Sequence, residues 1–315
     1  MLAYAVLSNA RCAPVQLVVS AGAKVNLVLE VLGKRDDGYH EIVTVMQAID
    51  LSDRLTFDPA DTLELATSSP DVPVDETNLV MRAARALRAV AGIASGARIT
   101  LAKQIPVAAG LGGGSSDAAA TLIGLDRLWG LRWPIERLDG IAVTIGMDVP
   151  FFLRGGAALG TARGDRLESV DGRPLAFVLI NPAIPVSASE AYGRVSPALY
   201  TDGTQARDLA GRLGRTGATR VAAALYNALE KAVAPVHPEI GRMRAAALAA
   251  GALGAAMSGS GPTVFGVARS FEHARQLRAR LTRGSWRCWA TRALRGPAIR
   301  VRTITRERLG TGHGR

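Results

Sequence analysis

The run Pro106, Val107, Ala108, Ala109, Gly110, Leu111, Gly112, Gly113, Gly114, Ser115, Ser116 and Asp117 constrains this chain more than any other segment. It falls between an alternating stretch, Arg98 to Lys103, that reads as a strand, and an alanine-rich stretch, Asp117 to Trp129, that reads as a buried helix. Glycines let a backbone approach a phosphate and adopt positive φ. The first turn of the following helix offers unpaired N–H groups and the positive end of its dipole. Such a strand, loop and helix form a cradle for phosphate. A flexible connector is the plain alternative, but a connector needs neither Pro106 nor two hydroxyls at a helix start. Two other phosphate loops do not fit. A Walker A loop requires Lys after its last glycine, where Ser115 stands, and a G-x-G-x-x-G pattern starting at Gly110 meets Ser115 at its third glycine. No protein-kinase catalytic loop or D-F-G occurs, and no serine-hydrolase or zinc-protease signature.

Around this loop the chain reads as alternating strands and helices. From Gln16 to Leu65, strand-like runs at Lys24 to Leu32 and Ile42 to Met46 flank the turn-rich Gly33 to Gly38, which predicts a hairpin with a wide loop. Leu79, Ala83, Ala86, Leu87 and Val90 share one face of a helix over Asn78 to Val90, stopped by Gly92. Pro134 to Val143 predicts a helix, Val149 to Val170 strand-like segments, and Leu175 to Ile180 a short strand. Further on, helices are expected at Ala206 to Arg212, Val221 to Val233 and Pro238 to Ala250. A glycine-rich strand region at Gly254 to Val267, a helix near Phe271 to Leu281 and a closing strand complete the chain. The change of character near Val170 divides it into residues 1–170 and 171–315, and with no linker or repeat the halves are expected to pack directly.

At 315 residues and 33.0 kDa the chain has room for two modest domains. Its 48% hydrophobic and 21% charged residues argue against a disordered or membrane-embedded protein. The 38 Lys and Arg against 27 Asp and Glu favour anionic partners, nucleotides among them. Arginines crowd the stretch from Arg275 to Arg315, but without interleaved aromatics or a nucleic-acid motif, so a solvated basic face is the reading rather than nucleic-acid binding. Cys12 and Cys288 lack the paired spacing of a zinc, redox or disulfide framework, which suits a reducing cytoplasm. The apolar run Leu2 to Leu7 is too short for a signal segment, and no stretch would span a bilayer, so no membrane partner is expected. The first dozen residues read as a frayed extension ahead of a later true start.

Three separated segments, Ala21 to Asn26, Pro106 to Ala119 and Met257 to Thr263, resemble in order and spacing the GHMP kinases, the group of galactokinase, homoserine kinase, mevalonate kinase and phosphomevalonate kinase. The resemblance implies an α+β, two-domain fold. Its N-terminal, ribosomal-protein-S5-domain-2-like α/β domain would bind ATP, and its C-terminal, ferredoxin-like α+β domain would bind substrate. It also implies transfer of the γ-phosphate of ATP to an alcohol, by a monomer or homodimer. The block Gly33 to Glu41, containing Asp37-Gly38-Tyr39-His40, together with Asp148 to Phe152, narrows the resemblance. It points to the branch that phosphorylates the 2-hydroxyl of a cytidylylated methylerythritol in isoprenoid precursor synthesis. A homoserine- or mevalonate-type kinase is the nearest rival, opposed by Tyr39 and His40. A nucleotide-binding regulator without catalysis is another, opposed by the joint presence of Lys24 and Asp148.

By residue type alone, Asp148 reads as a turn cap before Pro150 and Lys24 as an exposed cation on a strand edge. The resemblance instead makes Asp148 the carboxylate that takes the hydroxyl proton, with Lys24 beside it. It sets Tyr39 and His40 against the cytosine, Tyr192 on its other face and Asn26 at the erythritol end. Ser258 and Gly259 bring backbone to the substrate or phosphates. A triphosphate calls for a divalent ion, Mg²⁺, for which Ser116 is the loop hydroxyl chosen. His237, between Val236 and Pro238, reads as a loop residue with no role. Two departures stand out: Gly22, where these kinases carry Pro or Arg, is expected to loosen the strand leading to Lys24, and Ala188, in place of Thr, puts the placement of Tyr192 in question.

Overall fold

A computed structural model of the chain describes residues 15–282 and 285–305; the first dozen residues, Cys12 and the arginines from Arg306 onward lie outside them. The described residues begin with two long antiparallel strands, β1 (Val15–Lys34) and β2 (His40–Ala60), paired from Leu17 opposite Phe57 to Lys34 opposite His40 with register shifts after Gly22, Asn26 and Val31. β1 is buried almost continuously from Leu17 to Val31 and β2 from Ile42 to Ile49, where both faces are covered, while β2 beyond Asp50 alternates as a strand covered on one face does. Next come β3 (Leu63–Thr67), α1 (Leu79–Ala91), β4 (Gly96–Ala102), α2 (Gly113–Leu128), α3 (Ile135–Ile145), α4 (Val149–Arg154), β5 (Ala157–Thr161) and β6 (Arg166–Val170). β4 and β5 pair with β2, β3 runs parallel to β4, and β6 completes a hairpin with β5. Helices α1 to α4 cover one face of this sheet, over a core that includes Val19, Phe57, Leu87, Leu122 and Phe151. A Cβ at Gly124 would lie 2.6 Å from the Phe57 ring, so α2 approaches the sheet as closely as it does only with glycine there.

The second half contributes β7 (Ala176–Asn181), α5 (Ala188–Gly193), α6 (Thr204–Arg212), α7 (Ala218–Ala223), β8 (Tyr226–Asn227), α8 (Ala228–Val233), α9 (Glu239–Ala249), β9 (Gly254–Met257), β10 (Val264–Ala268), α10 (Phe271–Leu281), β11 (Arg287–Arg292) and β12 (Ile299–Thr305). Four of these strands form a fully antiparallel sheet in the order β11-β7-β10-β9. Val170 separates the two sheets with two exceptions. β8 pairs with β1 at Val28 and Leu29, and β12 returns to flank β1, with Val19 opposite Val301. The β1–β2 hairpin runs through all three hydrophobic cores. Its base packs under α1 to α4, its middle (Val25, Val45) meets Phe177 and Phe265, and its tip (Val31, Ile42) meets Val233 and Met243. The mixed α+β, two-domain architecture expected from the sequence is the one observed.

Three elements differ from expectation. α2 begins at Gly113 rather than Asp117, because Gly112, at φ 70°, turns the chain directly into the helix. α4 occupies the start of a stretch expected as strand; Pro150 lies in its first turn, where a missing N–H costs nothing. Val221 to Val233 is two helices, broken where Tyr226–Asn227 pairs with β1 and the Asn227 side chain caps α8 by accepting from the Leu229 N–H at 2.9 Å.

Candidate active site

Between β4 and α2 the glycine loop bends through positive φ at Ala108, Gly110 and Gly112. A Cβ on Gly110 would fall 2.0 Å from the Ser258 carbonyl, and one on Gly112 would fall 2.7 Å from the Phe152 ring, so both positions require glycine. The loop's carbonyls are tied down from outside. Val186 N–H donates to Ala108, the Ser258 hydroxyl to Gly110 at 2.9 Å, and Lys24 N–H to Leu111 at 3.0 Å. Ala109 and Leu111 bury their side chains in the core. Pro106, Val107, Ala108, Gly110 and Gly112 to Ser115 line a cavity of about 1080 Å³, where the first N–H groups of α2 have no acceptor within the helix. The strand, glycine loop and helix read from the sequence are the ones observed, with α2 opening at the loop's end.

Lys24 and Asp148, 124 positions apart, meet in that cavity. Lys24 Nζ lies 3.6 Å from Asp148 Oδ2, with the lysine side chain 6% exposed and the aspartate 34%. The ammonium is thus fixed inside the protein, while the carboxylate at the start of α4 faces the cavity. Asn26 Oδ1 accepts from Lys24 Nζ at 2.6 Å, and Asn26 Nδ2 donates to Thr44 Oγ1 at 2.8 Å, which in turn donates to the Val28 carbonyl. This chain of bonds locks the Asn26 amide with its oxygen toward the lysine. Gly259 closes over the group: a Cβ there would lie 3.0 Å from Lys24 Nζ and 3.0 Å from the Gly110 carbonyl. Ser258 is buried with its hydroxyl between the Asn26 N–H and the Gly110 carbonyl. Asn227 holds this turn from behind, donating to the carbonyls of Met257 at 2.7 Å and Gly259 at 2.9 Å.

Beneath the loop lies an ionic group that sequence reasoning missed. Lys103 Nζ donates to Asp117 Oδ2 at 2.8 Å and pairs with Asp53, whose other oxygen accepts from the N–H groups of Gln104 and Ile105. Burial works against charge on Lys103, but Asp117 and Asp53 outweigh it and raise the ammonium above its ordinary value. Burial pushes the Asp117 carboxyl up to about 8, against the pull of Lys103. Lys103 and Asp117 both face the cavity. The available signal was a lysine three residues before Pro106, at the end of the strand that feeds the loop.

At the far end of the cavity stand Tyr39, His40 and Tyr192. Tyr39 is 51% exposed, and the His40 and Tyr192 rings stack with centroids 5.4 Å apart and planes at 24°. Burial and then the Lys34 charge lower His40, favouring its neutral form. Burial and then the Asp148 carboxylate raise the Tyr192 phenol, keeping it protonated. Ala188 does not displace Tyr192. Ser187 caps α5 by accepting from the Glu190 N–H at 3.0 Å, and Glu190 meets His237 Nε2 at 3.0 Å. His237, read from sequence as having no role, therefore fastens the helix that carries Tyr192.

Two further expectations are corrected by side-chain direction. Ser116 is fully buried and its hydroxyl donates to the Gly22 carbonyl at 2.7 Å, away from the cavity. One position round the helix, Ser115 is the hydroxyl that lines it. Gly22 does not loosen β1: a Cβ there would meet the Ile49 carbonyl at 2.9 Å and the Ala298 carbonyl at 3.1 Å, so glycine is what lets the neighbouring strands close. Among the described residues, no group of three or more His, Cys, Asp or Glu is placed to hold a metal ion, and no helix is long and apolar enough to cross a membrane.

Residues 78–156 match the family model for the GHMP kinases N-terminal domain, and residues 204–286 match that for the GHMP kinases C-terminal domain. A protein of Pelotomaculum thermopropionicum named 4-diphosphocytidyl-2-C-methyl-D-erythritol kinase is 46% identical over 275 residues, which cover 86% of this chain and 96% of the relative. A protein of the same name from Geobacter metallireducens is 44% identical, over 88% of this chain and 99% of its own. Among solved structures, that of a 4-(cytidine 5'-diphospho)-2C-methyl-D-erythritol kinase matches with a TM-score of 0.76 and 36% identity, over 88% of this chain and 98% of that one. Homoserine kinase from Cytophaga hutchinsonii, at 19% identity, a TM-score of 0.72 and coverage of 95% of this chain and 100% of its own, shares the fold. Matched in both halves and across nearly the full length of its relatives, the chain belongs to the GHMP kinase family.

Proposed function

We propose that the chain transfers the γ-phosphate of ATP to the 2-hydroxyl of 4-diphosphocytidyl-2-C-methyl-D-erythritol, with Asp148 as general base and Lys24 as its electrostatic partner. The observation that carries this reading is the Lys24–Asp148 pair, 3.6 Å apart, in the same cavity as the glycine cradle and the His40–Tyr192 stack. The names of the relatives supply the substrate. A cavity of about 1080 Å³ is large enough for a nucleotide and a second ligand together.

Phosphoryl transfer needs alignment and charge neutralisation more than covalent help. The backbone N–H groups opening α2 bind the phosphates, and Lys24, held by Asn26, stabilises negative charge on the transferring group. The substrate hydroxyl oxygen attacks the γ-phosphorus as the bond to the β-bridging oxygen breaks. Its proton passes to Asp148, and ADP leaves. Residues 1–170 supply the nucleotide side, while residues 171–315 supply Tyr192 and the Ser258–Gly259 turn. Tyr39 and His40 from the β1–β2 turn meet Tyr192 around the cytosine, where π-stacking gives affinity and edge hydrogen bonds give base selectivity. Mg²⁺ would be held chiefly by the phosphates, with the Ser115 hydroxyl as the hard oxygen donor of the loop, and would neutralise the triphosphate charge there.

The deciding assay offers purified protein ATP and Mg²⁺ with the cytidylylated methylerythritol, mevalonate or homoserine. ADP release with the cytidylyl compound alone is expected. Release with either of the others at a comparable rate would overturn the substrate assignment.

A further inference from the structure

A second cleft, of about 980 Å³, opens between β6 and the loop after it, α6 with the 3-10 turn Leu213–Arg215, and the loop that precedes β12. It shares no lining residue with the first cavity. Four arginines line it: Arg207, Arg212, Arg215 and Arg295. Ala210 and Gly211, three and four positions beyond Arg207 on α6, leave the space between them open.

The four arginines of this cleft outnumber its two carboxylates. Elsewhere Arg35, Arg98 and Arg163 each pair with a carboxylate. Here Glu168 and Asp171 line the same cleft, yet among the described residues neither forms an ion pair with any of the four arginines. Arg207 donates to the Asp202 carbonyl at 3.0 Å, and its charge is partly met by the nearby Asp202 carboxylate. The walls are fixed. A Cβ at Gly214 would lie 2.8 Å from Asp171 Cβ, so the turn bearing Arg215 is pressed against the loop after β6. The loop bearing Arg295 is held on both sides of it, by Leu294 N–H to the Ala48 carbonyl at 2.8 Å and Gly156 N–H to the Gly296 carbonyl at 2.9 Å. The Gln47 side chain adds a bond to the Leu294 carbonyl at 2.9 Å.

We propose that this cleft binds a small anion carrying a diphosphate group. Guanidinium forks bind phosphate oxygens in pairs, and four arginines lining one cleft from three segments exceed the needs of a single phosphate. Leu159, Val170 and Ala210 in the wall offer an apolar surface to an organic substituent, so inorganic pyrophosphate and an organic diphosphate share the chemistry required. The site stands independently of the kinase reading, since it uses none of the residues in that mechanism.

The test is calorimetric titration of the full chain with inorganic pyrophosphate, and separately with an alkyl diphosphate, at about 0.15 M salt to screen diffuse attraction. The first cavity is kept saturated by a non-hydrolysable ATP analogue. One saturable site is expected, weakened about tenfold or more in the double variant Arg212→Ser/Arg215→Ser. Arg295→Ser, on a separate loop, should weaken it in the same direction. The double variant Arg220→Ser/Arg300→Ser removes equal charge from exposed positions outside the cleft and should bind as the parent does. Tighter binding of the alkyl compound identifies an organic ligand, and equal binding an inorganic one. Absence of a saturable site, or equal loss in the charge-matched control, would overturn the proposal.

Discussion

At the scale of single residues, the Asp53–Lys103–Asp117 group determines whether the phosphate loop has a firm base. Asp53, fully buried, accepts two backbone N–H groups and pairs with Lys103, whose side chain is 8% exposed. Asp53→Ala strands those two donors and leaves Lys103 paired with Asp117 alone, and should destabilise the protein by about 1–3 kcal/mol in chemical denaturation. Asp117 behaves differently because its carboxyl is pushed up to about 8. A raised folded-state value means the protonated form stabilises the fold at low pH, and this contribution is lost as pH rises from the ordinary carboxylate range toward about 8. Asp117→Asn keeps an oxygen for Lys103 and carries no titrating proton. It should change stability by less than about 1 kcal/mol near pH 6 and flatten the decline toward alkaline pH. Denaturation midpoints of both proteins between pH 5 and about 9 check this, and an unchanged pH slope in Asp117→Asn would assign the titration to another group.

At the scale of elements, the loop's glycines separate into those the backbone requires and those it tolerates. Gly110 combines φ 73° with a Cβ position 2.0 Å from a carbonyl oxygen, whereas a Cβ on Gly114 would meet only Leu79 Cδ1 at 3.6 Å. Gly110→Ala should cost about 1–3 kcal/mol in backbone conformation alone and push the Ser258–Gly261 turn off the cavity, weakening ATP-analogue binding. Gly114→Ala should leave the melting temperature near that of the parent. Equal melting temperatures for the two variants would contradict this account. Where local chemistry determines structure, the elements were legible in sequence: Asn78 and Gly92 bound α1, the apolar positions over Phe271 to Leu281 match α10, and the loop lies between strand and helix. α4 was not legible, because its six residues carry too little periodicity to outweigh a β-like Val-Pro-Phe-Phe run. The partition at Asn227 was not legible either, because it depends on β1, some 200 positions away.

At the scale of the whole molecule, the site assembles from segments that sequence order keeps apart. Lys24 comes from β1, Asp148 from the start of α4, and Gly259 from the turn after β9. The resemblance to a family singled these residues out as candidates. Their supports, Asn227, Thr44 and Lys103, went unseen because nothing in their local sequence marks a partner in space. The same interleaving bears on folding. β12 flanks β1, and the hairpin crosses three cores, so each half has a core of its own and the two share the middle one. Thermal or urea unfolding should proceed as one cooperative transition, and residues 1–170 produced alone, with their part of the shared middle core exposed, should be less stable than the whole chain. Two separate transitions followed by distinct probes would show that the halves are independent.

The central claim is that the glycine cradle presents ATP to an alcohol whose proton is taken by Asp148 beside Lys24. Its most direct test is single-turnover ADP formation by Asp148→Asn, with the affinity for a non-hydrolysable ATP analogue measured on the same preparation. Turnover should fall by about 10²- to 10⁴-fold while nucleotide affinity stays close to that of the parent. Turnover near the parental rate would remove Asp148 from the chemistry and contradict the account.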